Sequence, residues 1–287
     1  MESITVNKER ASALFQLIDY QWDNNYGLLT NKDHLIENQV PTTIKKGSEE
    51  HARFLFFTAL NDHGLKSKQM YEKSQKLYEY HSEYYDPEWI VRHYSNNNYT
   101  KLIPIICSPL GARYPNALSQ AWVENATLLY NDYQSSVRKL FLSDIDAKKL
   151  LRKLLLFRGV GNKIGGMLLR AALTLHWTDP NIRNVDNVLV PVDIHDSRIM
   201  FLTDVFVKTD QLFQEIDYYS YRQLAQKTIT DICRQEGLDW TKIDRSLWLI
   251  GSTGCSLRNC VCCPIIRMCT HKRTLSKIEK GKERVND

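Results

Sequence analysis

Apolar positions recur at helical spacing along most of the chain. Leu14, Leu17 and Ile18 mark an amphipathic helix over residues 9–22. Residues 23–47 are polar and turn-rich, with Pro41 and Gly47 among them. Ser48 then stands where a cap is needed. The helix it opens carries Phe54, Leu55, Phe56, Phe57, Ala59 and Leu60, so it is apolar on most faces and expected to be buried. Ala117, Ala121 and Leu128 define a helix after the turn at Ser108–Pro115. Leu150, Leu151, Leu154 and Leu155 form the next stripe, with Ser143 and Asp146 reading as its capping box. Ile164, Met167, Leu168, Ala171 and Leu175 form another. Ile199, Met200, Leu202, Val205 and Phe206 predict a helix from Asp193 to about residue 207, and a further one is expected over 211–235.

Between the stripes ending at Leu155 and starting at Ile164 lies Arg158-Gly159-Val160-Gly161-Asn162-Lys163. The chain has to reverse there in about five residues, and Gly159 and Gly161 permit the positive φ of such a turn. A Gly-X-Gly turn into a helix also presents backbone N–H groups and the positive helix end, which suit a phosphate. The same turn serves equally well as an ordinary helix end with no ligand. Lys163 stands where the helix dipole disfavours its charge, which frees neutral amine for nucleophilic attack. Pairing with phosphate is its plainer use. Farther on runs Val190-Pro191-Val192-Asp193-Ile194-His195-Asp196. Pro191 fixes an extended entry, and Asp193 can cap the helix after it.

The net charge of +5 over 287 residues, with a pI near 8.7, suits an anionic partner without naming one. No run of about eighteen apolar residues is present, so no membrane span is expected. The opening Met1-Glu2-Ser3-Ile4-Thr5 lacks a signal-peptide pattern. Of seven cysteines, five cluster near the end. That points to metal ligation in a reducing compartment rather than disulfides, with a cytoplasmic, nucleoid-associated or nuclear location expected. Cys255, Cys260, Cys263 and Cys269 are spaced C-x4-C-x2-C-x5-C, with Cys262 in addition. Four thiolates so close can hold a [4Fe-4S] cluster or a Zn²⁺ ion.

Gly-Val-Gly-X-Lys followed by Val-Asp-X-His resembles the helix-hairpin-helix DNA glycosylases of the endonuclease III superfamily. The resemblance implies that Gly159, Val160 and Gly161 grip DNA phosphate. It makes Lys163 the nucleophile that attacks C1′, and Asp193 the essential carboxylate. The run Val190–His195 is especially similar to the 8-oxoguanine glycosylase branch, as is Leu110-Gly111-Ala112-Arg113-Tyr114. An arginine like Arg113 can meet the base opposite the lesion. Asn61 lies where the family places a side chain into the gap left by a flipped nucleotide, although it also reads as a polar helix end. Tyr84, Tyr85, Trp89 and Tyr94 could stack on an extruded base or simply fill a core. The later cysteine intervals match the family's iron–sulfur loop, with Arg258 and Arg267 as its phosphate-facing charges. The first interval is shorter than usual, so Cys262 competes with Cys260 as a ligand. Arg158 replaces a usual proline, and Gly165-Gly166 depart from the endonuclease III branch. Residues Trp177 to Asn187 lengthen the gap between Lys163 and Asp193. The tail charges Lys272, Arg273, Lys277, Lys280, Lys282 and Arg284 read either as added DNA affinity or as a solvated end.

The resemblance implies an all-α, two-domain fold. A six-helix barrel over 48–188 would end in the hairpin, and residues 1–47 plus 189–287 would hold the iron–sulfur loop. It implies a monomer acting on duplex DNA in base excision repair, with Schiff-base chemistry at Lys163 followed by β-elimination on the 3′ side. Oxidised pyrimidines and oxidised purines are both compatible targets. Two other readings stand beside this one. One is a monofunctional glycosylase or non-catalytic helix-hairpin-helix DNA binder. The other is an iron–sulfur redox or radical protein, for which a Gly-rich cofactor loop is missing from the sequence.

Overall fold

The computed structural model describes residues 4–62, 67–94, 97–208 and 213–270. His63, Gly64 and Lys66 of the loop and basic segment, and the tail charges from Lys272 onward, lie outside them. The described chain is mostly helical. In order the helices are α1 (Lys8–Asp23), α2 (Glu49–Ala59), α3 (Ser67–Tyr80), α4 (Pro87–His93), α5 (Ser108–Leu110), α6 (Pro115–Tyr133) and α7 (Val137–Leu142). They continue with α8 (Ala147–Leu154), α9 (Asn162–Thr174), α10 (Ile194–Leu202), α11 (Glu215–Ser220), α12 (Arg222–Glu236) and α13 (Trp240–Leu249). None of them is long and apolar enough to cross a membrane.

The chain divides into two compact units, one of residues 33–191 and one joining 1–32 to 192–287. In the first, α2 is buried along most of its length. Ser48 caps it by accepting from the His51 amide at 3.2 Å. Phe54, Phe56 and Phe57 are buried on it; Phe54 packs with Tyr85, Phe57 with Tyr85 and with Trp122 of α6, and Phe56 with Phe157. Each such side chain, fully buried, contributes roughly 1.5–3 kcal/mol. Glu49, in the first turn of α2, accepts from Ser136 Oγ and from the Val137 and Arg138 amides, which satisfies the free N–H groups that open α7. Trp177, at the head of the lengthened segment, is buried, stacked on Phe141, and donates to the Gly47 carbonyl. Farther along, Arg183 exchanges backbone hydrogen bonds with Ile145 and Ala147. The segment is therefore stitched to its own unit at both ends.

In the second unit, α1, α12 and α13 pack on one another beside α10. Here the helical expectation to residue 207 fails. Helix α10 ends at Leu202, and β1 (Ile4–Val6) pairs antiparallel with β2 (Phe206–Lys208), Thr5 opposite Val207. The expected helix over 211–235 is two helices broken at Tyr221. The expected Ser143 capping box is also displaced. Ser143 closes α7, and Asp146 alone caps α8, accepting from the Lys148 and Lys149 amides.

Candidate functional site

The hairpin is α8, a short turn and α9. Gly159 has φ +79°, a left-handed conformation that L side chains avoid. Gly161 does not share it. Its φ is −87° and ψ −178°, extended backbone that any residue adopts, so positive φ is needed at Gly159 only. A Cβ on Gly161 would meet nothing within 4 Å. The fold therefore supplies no reason for glycine there. Val160 is buried, so only its backbone is available to a ligand. Gly165 lets α9 lie close on Leu151 of α8 and on Leu155 just after it, and Gly166 does the same against Pro191.

Sequence reasoning missed what holds this turn. Asn125 of α6 is buried; its Nδ2 donates to the Arg158 carbonyl at 2.9 Å and its Oδ1 accepts from the Arg158 amide at 2.8 Å. One side chain thus pairs with both polar groups of one peptide residue. Lys163 is the second residue of α9 and is 42 % exposed. Its Nζ donates to Asp62 Oδ2 at 2.8 Å. Asp62 was also missed, although it adjoins the expected Asn61.

Asn61 and Arg113 line one cavity of about 400 Å³ together with Arg158 and Gly159, floored by Leu118 and Ala121. Three expected DNA-contacting residues thus share one groove. Asn61 is 2 % exposed, and its Nδ2 donates to the Leu110 carbonyl at 3.4 Å. A side chain held that way forms part of the groove wall. Arg113 is exposed, with its guanidinium beside the Tyr114 ring. The aromatic stretch after α3 divides, with Tyr84 and Tyr85 in the core and Trp89 and Tyr94 half-buried. Tyr84 and Tyr85 are buried, and Trp122 donates from Nε1 to the Tyr84 carbonyl.

In the second unit, Asp193 caps α10, its Oδ1 accepting from the His195 amide at 2.7 Å. Asp196 returns the arrangement, its Oδ2 accepting from the Asp193 amide at 2.7 Å. Arg198, one turn on, donates to His195 Nδ1 and to Ser256 Oγ, and lies over the Tyr218 ring. It ties α10 to the start of the cysteine loop, which no spacing in the sequence signals.

Cys255, Cys260, Cys263 and Cys269 line one small cavity with Ile199, Leu202 and Ile265. Cys262 is exposed and does not line it. Burial first, and then the neighbouring Cys263, push the Cys255 thiol up to about 12, with Arg198 opposing the shift. Among the described residues, no three His, Cys, Asp or Glu side chains are gathered closely enough to hold a metal ion. The donor set itself is four sulfurs in apolar surroundings, the chemistry that iron–sulfur clusters and structural zinc share. Arg258 and Arg267 are exposed on this loop, Arg258 in a left-handed conformation at φ +55°.

No family model matches this sequence, and no curated protein matches it.

Proposed function

We propose that this protein is a DNA glycosylase with abasic-site lyase action, removing a damaged or modified base from duplex DNA. One observation carries the reading. A lysine stands one residue inside a helix opened by a tight Gly-X-Gly turn, its amine hydrogen-bonded to a carboxylate. The groove lined by Asn61, Arg113, Arg158 and Gly159 begins at that same turn.

In this reading the Gly161–Lys163 backbone amides bind phosphate, and Arg113 meets DNA at the groove. The target nucleotide leaves the stack so that its sugar carbon is accessible. Lys163 gives up a proton, attacks C1′ and displaces the base. Asp62, already bonded to Nζ, is one acceptor for that proton; Asp193 is the other, as the resemblance implies. The Asp193 carboxylate also stabilises the positive charge that develops on the sugar. The Schiff base then permits β-elimination. Cys255, Cys260, Cys263 and Cys269 would hold a [4Fe-4S] cluster, or zinc in its place. Bound there, the group supplies a fold anchor for the loop bearing Arg258 and Arg267.

The ion pair with Asp62 favours a second reading, in which Lys163 stays an ammonium and the protein is a helix-hairpin-helix DNA binder. Borohydride trapping separates the two. The duplexes would carry an abasic site, 8-oxoguanine opposite each base, thymine glycol, or no damage. A covalent complex that forms with the wild type and not with Lys163→Ala supports the lyase reading. No complex on any duplex, with DNA binding intact, leaves a monofunctional glycosylase or a binder.

A further inference from the structure

Asp196 stands three residues after Asp193 and is 3 % exposed. Its Oδ2 accepts from the Asp193 amide, while the Asp193 carboxylate accepts from the His195 and Asp196 amides. The other oxygen, Oδ1, is buried, and no donor among the described residues reaches it. The charged groups acting on this carboxyl are both acidic: Asp193 on its own helix and Asp244 on α13. Nearby Arg198 is directed elsewhere, to His195 and Ser256. An ionised carboxylate in this position would be desolvated, would lack a donor on one oxygen and would be repelled by two like charges. A carboxylic acid avoids all three, because its O–H can donate to the neighbouring carboxylate. Burial, then the charges of Asp193 and Asp244, hold Asp196 well above the usual carboxylate range. The three carboxylates are not a cation site, since no such group is drawn together among the described residues.

We propose that Asp196 is a positioning residue for Asp193, a neutral acid whose O–H hydrogen-bonds the Asp193 carboxylate so that the pair carries one proton and one negative charge. This rests on the role given to Asp193 above. The single charge stays on Asp193, whose carboxylate is fixed by two amides and one acid O–H. Loss of the shared proton at alkaline pH would leave two adjacent carboxylates, break the O–H bond and release Asp193 from its orientation.

The test compares wild type, Asp196→Asn, Asp196→Ala and Asp193→Asn. Asparagine can still accept from the Asp193 amide and donate to its carboxylate, but it has no proton to lose. Asp196→Asn should therefore retain base excision at neutral pH and lose the alkaline fall of the rate. Asp196→Ala should lower kcat by about tenfold or more through misorientation. A titration of carboxyl-labelled aspartates by NMR needs no substrate. It should show Asp196 protonated at neutral pH in the wild type, with its midpoint lowered in Asp193→Asn because one like charge is gone. The sign for stability follows. A folded-state value raised above the ordinary one gives stability that is complete at acid pH and lost as pH rises toward the folded value. Asp196→Asn should thus gain on the wild type at neutral pH and gain nothing near pH 4. An ionised Asp196 at neutral pH, or an unchanged alkaline limb in Asp196→Asn, overturns the proposal. A protonated Asp196 that responds to Asp193→Asn, in a protein that excises no base, would overturn the activity and leave the acid pair standing.

Discussion

Lys163 Nζ donates to Asp62 Oδ2 across 2.8 Å, joining residues 101 positions apart. The lysine is 42 % exposed and the aspartate 14 %, so solvent screens the pair. Asp62→Asn should change folding stability by less than about 1 kcal/mol. If Asp62 takes the lysine proton, the same variant should slow Schiff-base trapping on abasic DNA by roughly 10²-fold or more. Urea unfolding and single-turnover trapping measure the two effects separately. An unchanged trapping rate would remove Asp62 from the chemistry and leave proton acceptance to Asp193.

The two hairpin glycines should respond in opposite ways. Gly159→Ala forces a left-handed backbone on an L residue and should cost about 1–2 kcal/mol. Gly161→Ala meets open space on ordinary backbone, so folding should be neutral or gain about 0.4–1 kcal/mol. If phosphate lies against this turn, the added methyl obstructs it, and duplex affinity should fall while stability does not. Fluorescence anisotropy with undamaged duplex decides this. Equal affinity in Gly161→Ala would take phosphate binding away from the hairpin.

The clamp from α6 gives a third test. Removing the Asn125 side chain leaves the Arg158 amide and carbonyl without their partners, at a cost of about 1–3 kcal/mol. Asn125→Asp should cost more than Asn125→Ala, because its carboxylate keeps the acceptor but faces the Arg158 carbonyl. Hydrogen exchange at the Arg158 amide should speed up in both. If exchange there is unaltered, the turn is held by something other than Asn125.

These residues mark how far the sequence could be read. Helices α1, α2 and α9 were legible because burial writes a stripe at helical spacing. The Asp193 cap was legible because it depends on residues two and three positions away. Asp196 was half legible: Asp-x-x-Asp is a capping-box spacing, but its burial depends on α13, fifty residues on. The β1–β2 pair was not legible, since three-residue strands show no alternation worth reading and the partner lies across the chain. The capping box read at Ser143 and Asp146 was misplaced because Ser143 closes α7, which leaves Asp146 itself as the cap of α8. Asn125 and Asp62 act on backbone or charge far away in sequence, where no periodicity points. The extended φ of Gly161 was hidden for a different reason: glycine identity shows that a side chain is absent, not which torsion the backbone takes.

His51 makes the stability of the 33–191 unit depend on pH. Burial first, and then the charge of Lys46, hold its imidazole at about 4 against an ordinary 6.5, with Glu37 opposing. Its Nδ1 accepts from the Gly47 amide at 3.0 Å, and its ring meets Trp177 edge-on at a centroid distance of 5.0 Å. The folded state thus binds this proton more weakly than the unfolded one. The neutral form's contribution is complete above pH 6.5 and is lost as pH falls to about 4. The loss is on the order of 3 kcal/mol. His51→Gln should lower stability at neutral pH through poorer packing while flattening this acid slope. A slope identical to that of the wild type would mean that other groups drive acid unfolding.

The cysteine loop offers the sharpest choice between alternatives that spacing left open. Cys260 lines the cavity shared with Cys255, Cys263 and Cys269, whereas Cys262 is exposed and outside it. Serine is nearly the size of cysteine but a poor ligand for soft metal centres. If the four cavity cysteines are the ligands, Cys260→Ser should lose bound metal and Cys262→Ser should keep it. Iron, sulfide and zinc analysis of the purified proteins reads the metal directly and also separates cluster from zinc. Because metal binding is coupled to the order of its loop, Cys260→Ser should in addition lower the melting temperature and weaken the duplex contacts assigned to Arg258 and Arg267. Chelation of the wild type should reproduce both losses. If Cys262→Ser loses the metal and Cys260→Ser retains it, the ligand set shifts to the C-x6-C spacing, and Cys262 has to turn inward on binding.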